Sequence, residues 1–240
     1  MITFSKFSME AIILCGGLGT RIRTITQDSI PKAMVKIKGK TILEWEIEWL
    51  NKHGIVHVTL AVRHLADYIQ KKLGDSYQTE IDKVKITYSR EPKKLGSGGA
   101  VRFAEKHVSD EHVIIMNGDV LTNYNLKEMI SAHLKKNLAG TIGVSMMRSP
   151  YGIVEFDDNL MISEFKEKPL LNHWIHSGID IFQKKVLLSF PEKGQMEDTI
   201  FVELAKKKEL SVFKIEPKYY WRSIDTTKDF QEAEKDWPGV

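Results

Sequence analysis

The continuous apolar run Ala11-Ile12-Ile13-Leu14-Cys15 gives way directly to Gly16-Gly17-Leu18-Gly19. A short apolar run closed by glycine reads as a strand buried on both faces. Glycines directly after such a strand let the backbone approach a phosphate chain and offer N–H donors with no side chain in the way. The loop is not a Walker A loop, because no Gly-Lys-Ser/Thr follows. It also fails the dinucleotide fingerprint, since Ile22 occupies the third glycine position. What it offers instead is Arg21 and, after Pro31, Lys32, two cations placed to meet a triphosphate. Fixed cations of this kind stabilise charge on a phosphoryl group in transit. The glycines alone fit an ordinary turn with solvated basic neighbours equally well.

Strand and helix patterns alternate through the first half. Strands are expected at Ile55–Val62, Val84–Ser89 and His112–Met116, and helices at Thr41–His53, Leu65–Leu73 and Gly98–His107. This alternation predicts a Rossmann-like α/β fold, a mostly parallel sheet with helices on both faces. Beyond Gly140 the pattern changes to a strand at Thr141–Met147, a hairpin of Gly152–Phe156 with Met161–Phe165, and a strand at Trp174–Phe182. A helix at Asp198–Lys208, a strand at Leu210–Ile215 and a helix from Lys228 complete it. With no linker or repeat, a single domain is expected over residues 9–240, preceded by an extension of residues 1–8.

Composition narrows the function classes. The chain has 240 residues and a formal net charge of +3, and no basic stripe points to nucleic acid. Lysines 206–208 read as a solvated helix end. Apolar stretches run to about five residues, far below the ~20 that span a bilayer. Cys15 is the sole cysteine, so no internal disulfide forms and a reducing cytoplasm is the expected location. It reads as a small core residue rather than a nucleophile. No secretory signal is seen in residues 1–8.

Five motifs in order carry a family resemblance over nearly the whole chain. Gly16-Gly17-Leu18-Gly19-Thr20-Arg21 with Pro31-Lys32 resembles the signature of the sugar-1-phosphate nucleotidyltransferases. Leu95-Gly96-Ser97-Gly98-Gly99-Ala100 is similar to their second glycine loop, which lies against the base. Met116-Asn117-Gly118-Asp119 resembles the strand end whose aspartate holds Mg²⁺. Phe165-Lys166-Glu167-Lys168-Pro169 and Ile175-His176-Ser177-Gly178 resemble segments that line the sugar-phosphate pocket.

The resemblance implies the nucleotide-diphospho-sugar transferase fold, Mg²⁺ as cofactor, and a triphosphate and a sugar 1-phosphate as substrates. It places the nucleotide on residues 9–140, at Leu14, Gly16, Gly17, Gly19, Thr20, Gly96, Ser97, Gly98 and Asn117. The sugar phosphate falls on residues 141–227, at Gly152, Glu167, Lys168, His176 and Gly178. Arg21, Lys32 and Asp119 would be catalytic. Many members end in Trp-x-Asp-Ile-Gly-Thr, whereas this chain has Trp221-Arg222-Ser223-Ile224-Asp225-Thr226. Ser223 is a poor Mg²⁺ anchor, so the second ligand is expected at Asp225. His176 replaces the usual asparagine. Association into a homo-oligomer is compatible with the resemblance, though no surface stripe shows it. The length leaves no room for the C-terminal β-helix or acyltransferase domain of larger relatives.

Several alternatives stand beside this reading. Asp119 and Asp225 could each cap the following turn or helix, Glu167 and Lys168 could be a solvated pair, and Trp45, Trp49 and Trp174 read as core or pocket-wall aromatics. A hard carboxylate at the end of a parallel strand suits Mg²⁺. The motifs look most like guanylyltransferases acting on mannose 1-phosphate or heptose 1-phosphate. Thymidylyl- or uridylyltransferase activity, a cytidylyltransferase on a non-sugar phosphate, and a catalytically silent nucleotide-binding subunit are the competing readings.

Overall fold

The computed structural model describes residues 9–240; the expected extension, residues 1–8, lies outside them. An eight-stranded mixed sheet runs in the order Leu210–Lys214, Gly140–Arg148, Leu170–Gln183, His112–Asn117, Glu10–Leu14, His57–Val62, Lys83–Arg90, Ser76–Gln78. The central strands His112–Asn117, Glu10–Leu14, His57–Val62 and Lys83–Arg90 are parallel, and Leu170–Gln183 is antiparallel to both its neighbours. Strands from both halves of the chain share this one sheet.

The apolar run explains the centre of that sheet. Ala11 and Ile13 face one core and Ile12 the other, and all three are fully buried. The first core is closed by the helices Ile42–Lys52, Ala66–Leu73 and Leu126–Lys136, the second by Gly96–Ala104 and Ile200–Lys206. Ile42–Lys52 starts at a capping box, Thr41 and Glu44 each satisfying the other's backbone N–H. Cys15 is buried beside the glycine loop, and burial pushes its thiol well above the ordinary range, as an inert core residue requires.

The expected elements are present, with shifted ends, and several features depart from the sequence reading, among them the unforeseen strands Ser76–Gln78, Val120–Thr122 and Trp221–Ser223. The helix Leu126–Lys136 was not foreseen; Asn125 caps it and Leu126, Met129, Ile130 and His133 form its buried stripe. Trp49 is core, but Trp174 is not, since it is partly exposed with Lys214 Nζ 4.8 Å from its ring centroid. The last helix, Thr227–Asp236, is capped by Thr226 with Asp229, so Asp225 is not its cap. Lysines 206–208 are exposed at a helix end, as expected. No helix among the described residues is long and apolar enough to cross a membrane.

Two small pairings and a third core build the site. Val120–Thr122 runs antiparallel to Trp221–Ser223, with Val120 opposite Ser223. Ile22, Val35, Ile37, Leu121, Ile224 and Trp237 pack together beneath them. Segments distant in sequence thereby converge on the carboxyl ends of the central strands.

Candidate active site

The strand Glu10–Leu14 has one neighbour that follows it directly in the sheet's winding and another, His112–Asn117, reached after the winding reverses. Such a switch point opens a crevice at the strand ends, where open α/β sheets bind ligands. A cavity of about 580 Å³ lies there, lined by Leu14, Gly16, Gly17, Gly19, Thr20, Gly96, Ser97, Asn117 and Asp119. Nine of the residues named from sequence therefore share one wall. Gly98 does not join them: its helix position packs against Pro191 and Met196, where a Cβ would lie 2.7 Å from the proline ring.

Gly19 holds a left-handed conformation, φ 62°, and starts the turn Thr20–Ile22 that carries Arg21. A Cβ on Gly19 would lie 3.2 Å from Lys32 Cβ, so the missing side chain lets the loop close down over Lys32. Lys32 Nζ lies 2.6 Å from Asp119 Oδ2 and 2.9 Å from Asp225 Oδ1. Arg21 Nη2 lies 2.6 Å from the same Asp225 oxygen. Arg21 is largely exposed, so that pair is worth at most ~1 kcal/mol and is readily exchanged for a phosphate contact.

The two aspartates are held differently. Asp119 caps nothing: Oδ2 takes Lys32, and Oδ1 is buried with no hydrogen-bond partner. Asp225 Oδ2 accepts from the Ser223 hydroxyl at 2.7 Å. Burial pushes the Asp225 carboxyl up, but the Ser223 hydroxyl, Lys32 and Arg21 outweigh it and hold the group below its ordinary range. Ser223 thus has a role the sequence reading did not give it, as the donor that orients and ionises Asp225. Ile224 N–H donates to Asp119 O at 2.8 Å, tying the two turns together.

These two carboxylates suit Mg²⁺, which takes one or two protein carboxylates and completes its shell with phosphate oxygens and water. The orphaned Asp119 oxygen and the ammonium already lodged between the two carboxylates mark a place for positive charge. No cluster of three or more histidine, cysteine or acidic residues suited to a metal occurs among the described residues.

The residues named for the sugar phosphate form two groups. A Cβ on Gly152 would lie 3.1 Å from Glu167 Oε2, and Lys168 Nζ is 3.4 Å from Glu167 Oε1, an exposed ion pair at the foot of a hairpin. His176 Nε2 instead binds the fully buried Asp180, 2.9 Å from Oδ2. Burial pulls the imidazolium down, but the charge and hydrogen bond of Asp180 prevail and hold His176 above its ordinary value. Gly178 passes within contact of Asn117, where a Cβ would lie 2.8 Å from Nδ2. A second cavity of about 440 Å³ adjoins Asp225 and Ser223 and is walled by Trp221, Leu170 and Arg148.

Sequence reasoning missed several neighbours. Arg63, Glu91, Lys94, Gln195, Glu197 and Asp198 also line the first cavity. Glu46, fully buried under the site, accepts from Val120 N–H at 3.1 Å and leaves its other oxygen without a partner. Burial pushes its carboxyl well above the ordinary range, the Val120 N–H and Lys32 opposing only in part while Asp119 adds to the rise. A signal for Glu46 did exist: it interrupts the apolar stripe Ile42, Trp49, Leu50 at helical spacing.

Comparison with known proteins agrees with this geometry. A mannose-1-phosphate guanyltransferase beta-B from Xenopus laevis is 33% identical over 230 residues, 92% of this chain and 62% of the relative's length. The chain thus spans about three fifths of such relatives. A D-glycero-alpha-D-manno-heptose 1-phosphate guanylyltransferase from Aneurinibacillus thermoaerophilus is 32% identical over 234 residues, 95% of this chain and 98% of that protein. The structure of HddC from Yersinia pseudotuberculosis complexed with GMP-PN superposes with a TM-score of 0.74 at 26% identity, covering 95% of this chain and 99% of that one. The family model described as nucleotidyl transferase matches residues 10–238. On a match of that extent, with its loops and carboxylates gathered at one switch point, the chain belongs to the nucleotidyl transferase family.

Proposed function

We propose that this protein joins a sugar 1-phosphate to the nucleotidyl group of GTP, releasing pyrophosphate and a nucleotide sugar. The observation that carries the reading is Lys32, held between Asp119 and Asp225 directly beneath the glycine loop. The guanylyltransferase relatives and the GMP-PN complex of HddC support GTP, with mannose 1-phosphate or a heptose 1-phosphate as acceptor. Residues 9–140 then hold the nucleotide and residues 141–227 the sugar phosphate.

The nucleophile needs no general base. A phosphate monoester with a second pKa near ~6 is already a dianion at neutral pH. Catalysis therefore rests on alignment and on charge stabilisation. The N–H groups of residues 17–20 receive the triphosphate, and Arg21 leaves Asp225 to clamp the departing phosphates. Lys32 meets the charge that grows on the α-phosphate. Asp119 and Asp225 would hold Mg²⁺, which when bound neutralises phosphate charge. Lys168, at the hairpin foot with Gly152, exchanges Glu167 for the incoming sugar phosphate, and His176 and Gly178 are the other residues assigned to that substrate. We place the enzyme in the cytoplasm, in keeping with its single buried free cysteine, and propose neither nucleic acid nor membrane as a partner.

The test is a matrix of nucleoside triphosphates against sugar 1-phosphates, read as Mg²⁺-dependent pyrophosphate release. Turnover is expected with GTP and mannose or heptose 1-phosphate. Preferred turnover of another base would overturn the choice of GTP. Triphosphate binding without turnover of any pair would replace the enzyme with a nucleotide-binding subunit.

A further inference from the structure

Six of the seven arginines give their guanidinium to a protein partner: Arg21 to Asp225, Arg23 to Asp28, Arg90 to Asp67, Arg102 to Phe190 O, Arg148 to Lys168 O and Arg222 to Glu232. Arg63 is the exception. It is half-buried in the wall of the 580 Å³ cavity and makes no hydrogen bond or ion pair with any of the described residues. Withdrawing a charge from water costs free energy unless a partner replaces the water. A guanidinium carries five N–H donors and no acceptor, so the partner that fits Arg63 is a ligand group with acceptors to offer.

The backbone fixes which part of a nucleotide Arg63 meets. The residue follows directly on the strand His57–Val62, at the carboxyl end where the sheet opens. At the start of the first glycine loop, a Cβ on Gly16 would lie 3.5 Å from Arg63 Cβ and 2.8 Å from Glu91 Oε1. At the other end of the loop, Gly19 closes on Lys32. Three residues of chain span at most about 10 Å, so the two ends of the loop serve two ends of one nucleotide. The phosphates belong to the end where Arg21 and Lys32 stand, which leaves the Gly16 end for the base. Leu14 and Ala61, paired in adjacent strands, give the cavity an apolar surface there on which a flat ring rests. Glu91, whose Oε2 accepts from Leu95 N–H at 3.3 Å, is a poor neighbour for phosphate but a good one for the N–H groups of a base.

We propose that Arg63 selects the base, its guanidinium donating two parallel N–H bonds to O6 and N7 of guanine. The inference rests on the proposed use of GTP and names the residue that enforces it. Guanine presents O6 and N7 as adjacent acceptors, the pair that the planar fork of arginine matches. Adenine keeps N7 but turns an amino donor towards the guanidinium, so donor meets donor. Cytosine does the same with its N4 amino group, and uracil and thymine offer the single O4 acceptor with no N7 beside it. The free donors of Arg63 therefore favour one base by attraction and reject two by unpaired N–H groups. The residue touches no reacting atom, so its effect falls on nucleotide binding and not on the chemical step.

The test is calorimetric binding and steady-state turnover of the full chain with GTP, 7-deaza-GTP and ATP, for wild type and Arg63→Met. In 7-deaza-GTP a carbon replaces N7 and nothing else changes. Wild type is expected to bind GTP about 3- to 10-fold tighter than 7-deaza-GTP, the worth of one hydrogen bond. Arg63→Met is expected to weaken GTP by about 10- to 100-fold, to bring GTP and 7-deaza-GTP within 2-fold of each other, and to narrow the preference over ATP, with kcat nearly unchanged. Equal wild-type affinity for GTP and 7-deaza-GTP would overturn the proposal on unmodified protein, whether or not the variant folds. An Arg63→Met chain that loses affinity for all three nucleotides equally would also overturn it and make Arg63 a phosphate cation. Wild-type turnover separates the two readings. Turnover of another base in place of GTP overturns both, whereas GTP turnover without a penalty for 7-deaza-GTP removes the role of Arg63 alone.

Discussion

The Ser223 hydroxyl lies 2.7 Å from Asp225 Oδ2, while Lys32 and Arg21 share the opposite oxygen of the same carboxylate. Asp225 is thus gripped from both sides, and these contacts favour its ionised form. Ser223 is the donor that sets the carboxylate two residues on.

This grip separates two variants. Asp225→Asn removes the charge and is expected to cut turnover by about 100-fold or more, a loss of the size seen when transition-state charge loses its partner. Ser223→Ala leaves the carboxylate but frees its orientation, so a loss of roughly 3- to 10-fold is expected, on the order of one neutral hydrogen bond. Steady-state pyrophosphate release over a Mg²⁺ titration measures both. A larger loss for Ser223→Ala would reassign the second ligand position.

Lys32→Ala is expected to lower kcat by about 100- to 1000-fold and to change KM for the triphosphate only a few-fold, because the charge that Lys32 meets grows in the transition state. Equal losses in both would make it a binding residue alone. Single-turnover kinetics distinguish the two.

Glu46 supports the Asp119 turn through the Val120 N–H. Since burial favours its neutral form, Glu46→Gln retains the acceptor and is expected to alter stability by less than ~1 kcal/mol. Glu46→Ala strands that N–H and opens a cavity, at a cost of about 2–4 kcal/mol. Urea unfolding monitored by tryptophan fluorescence tests the pair.

His133 is fully buried between His112 and Thr141, with ring nitrogens 2.9 Å from each. Burial, helped by His112, lowers its pKa from 6.5 to about 4. The unfolded chain therefore takes up a proton in that window before the folded chain does, and stability falls as pH drops from 6.5 towards 4. The full effect is roughly 3 kcal/mol. Unfolding free energies measured across this range should show the slope, and His133→Asn should flatten it.

Much of the architecture was legible because it depends on short-range pattern. The apolar run at Ala11–Cys15, the glycines behind it and the period-two hairpin each act through backbone freedom or side-chain alternation, which neighbours in sequence decide. Most of the glycine-loop residues reached the cavity for the same reason, since each loop follows its strand end directly. Gly98 did not, because as the third residue of its helix it faces Pro191 and Met196 instead of the cavity.

What only the tertiary structure decided depends on long-range contact. Lys32, Asp119 and Asp225 meet because Val120–Thr122 pairs with Trp221–Ser223, and no local signal encodes that pairing. The Glu46 carboxyl is pushed above its ordinary range, and His176 partners Asp180, because burial and nearby charge arise only on folding. The hairpin's alternation was written in the chain, but its exposed apolar face was not. Exposure is set by what the rest of the molecule fails to cover. Sequence alone therefore determined the family's motifs and their order; folding decided which groups touch, which carry charge, and which side chains stay exposed.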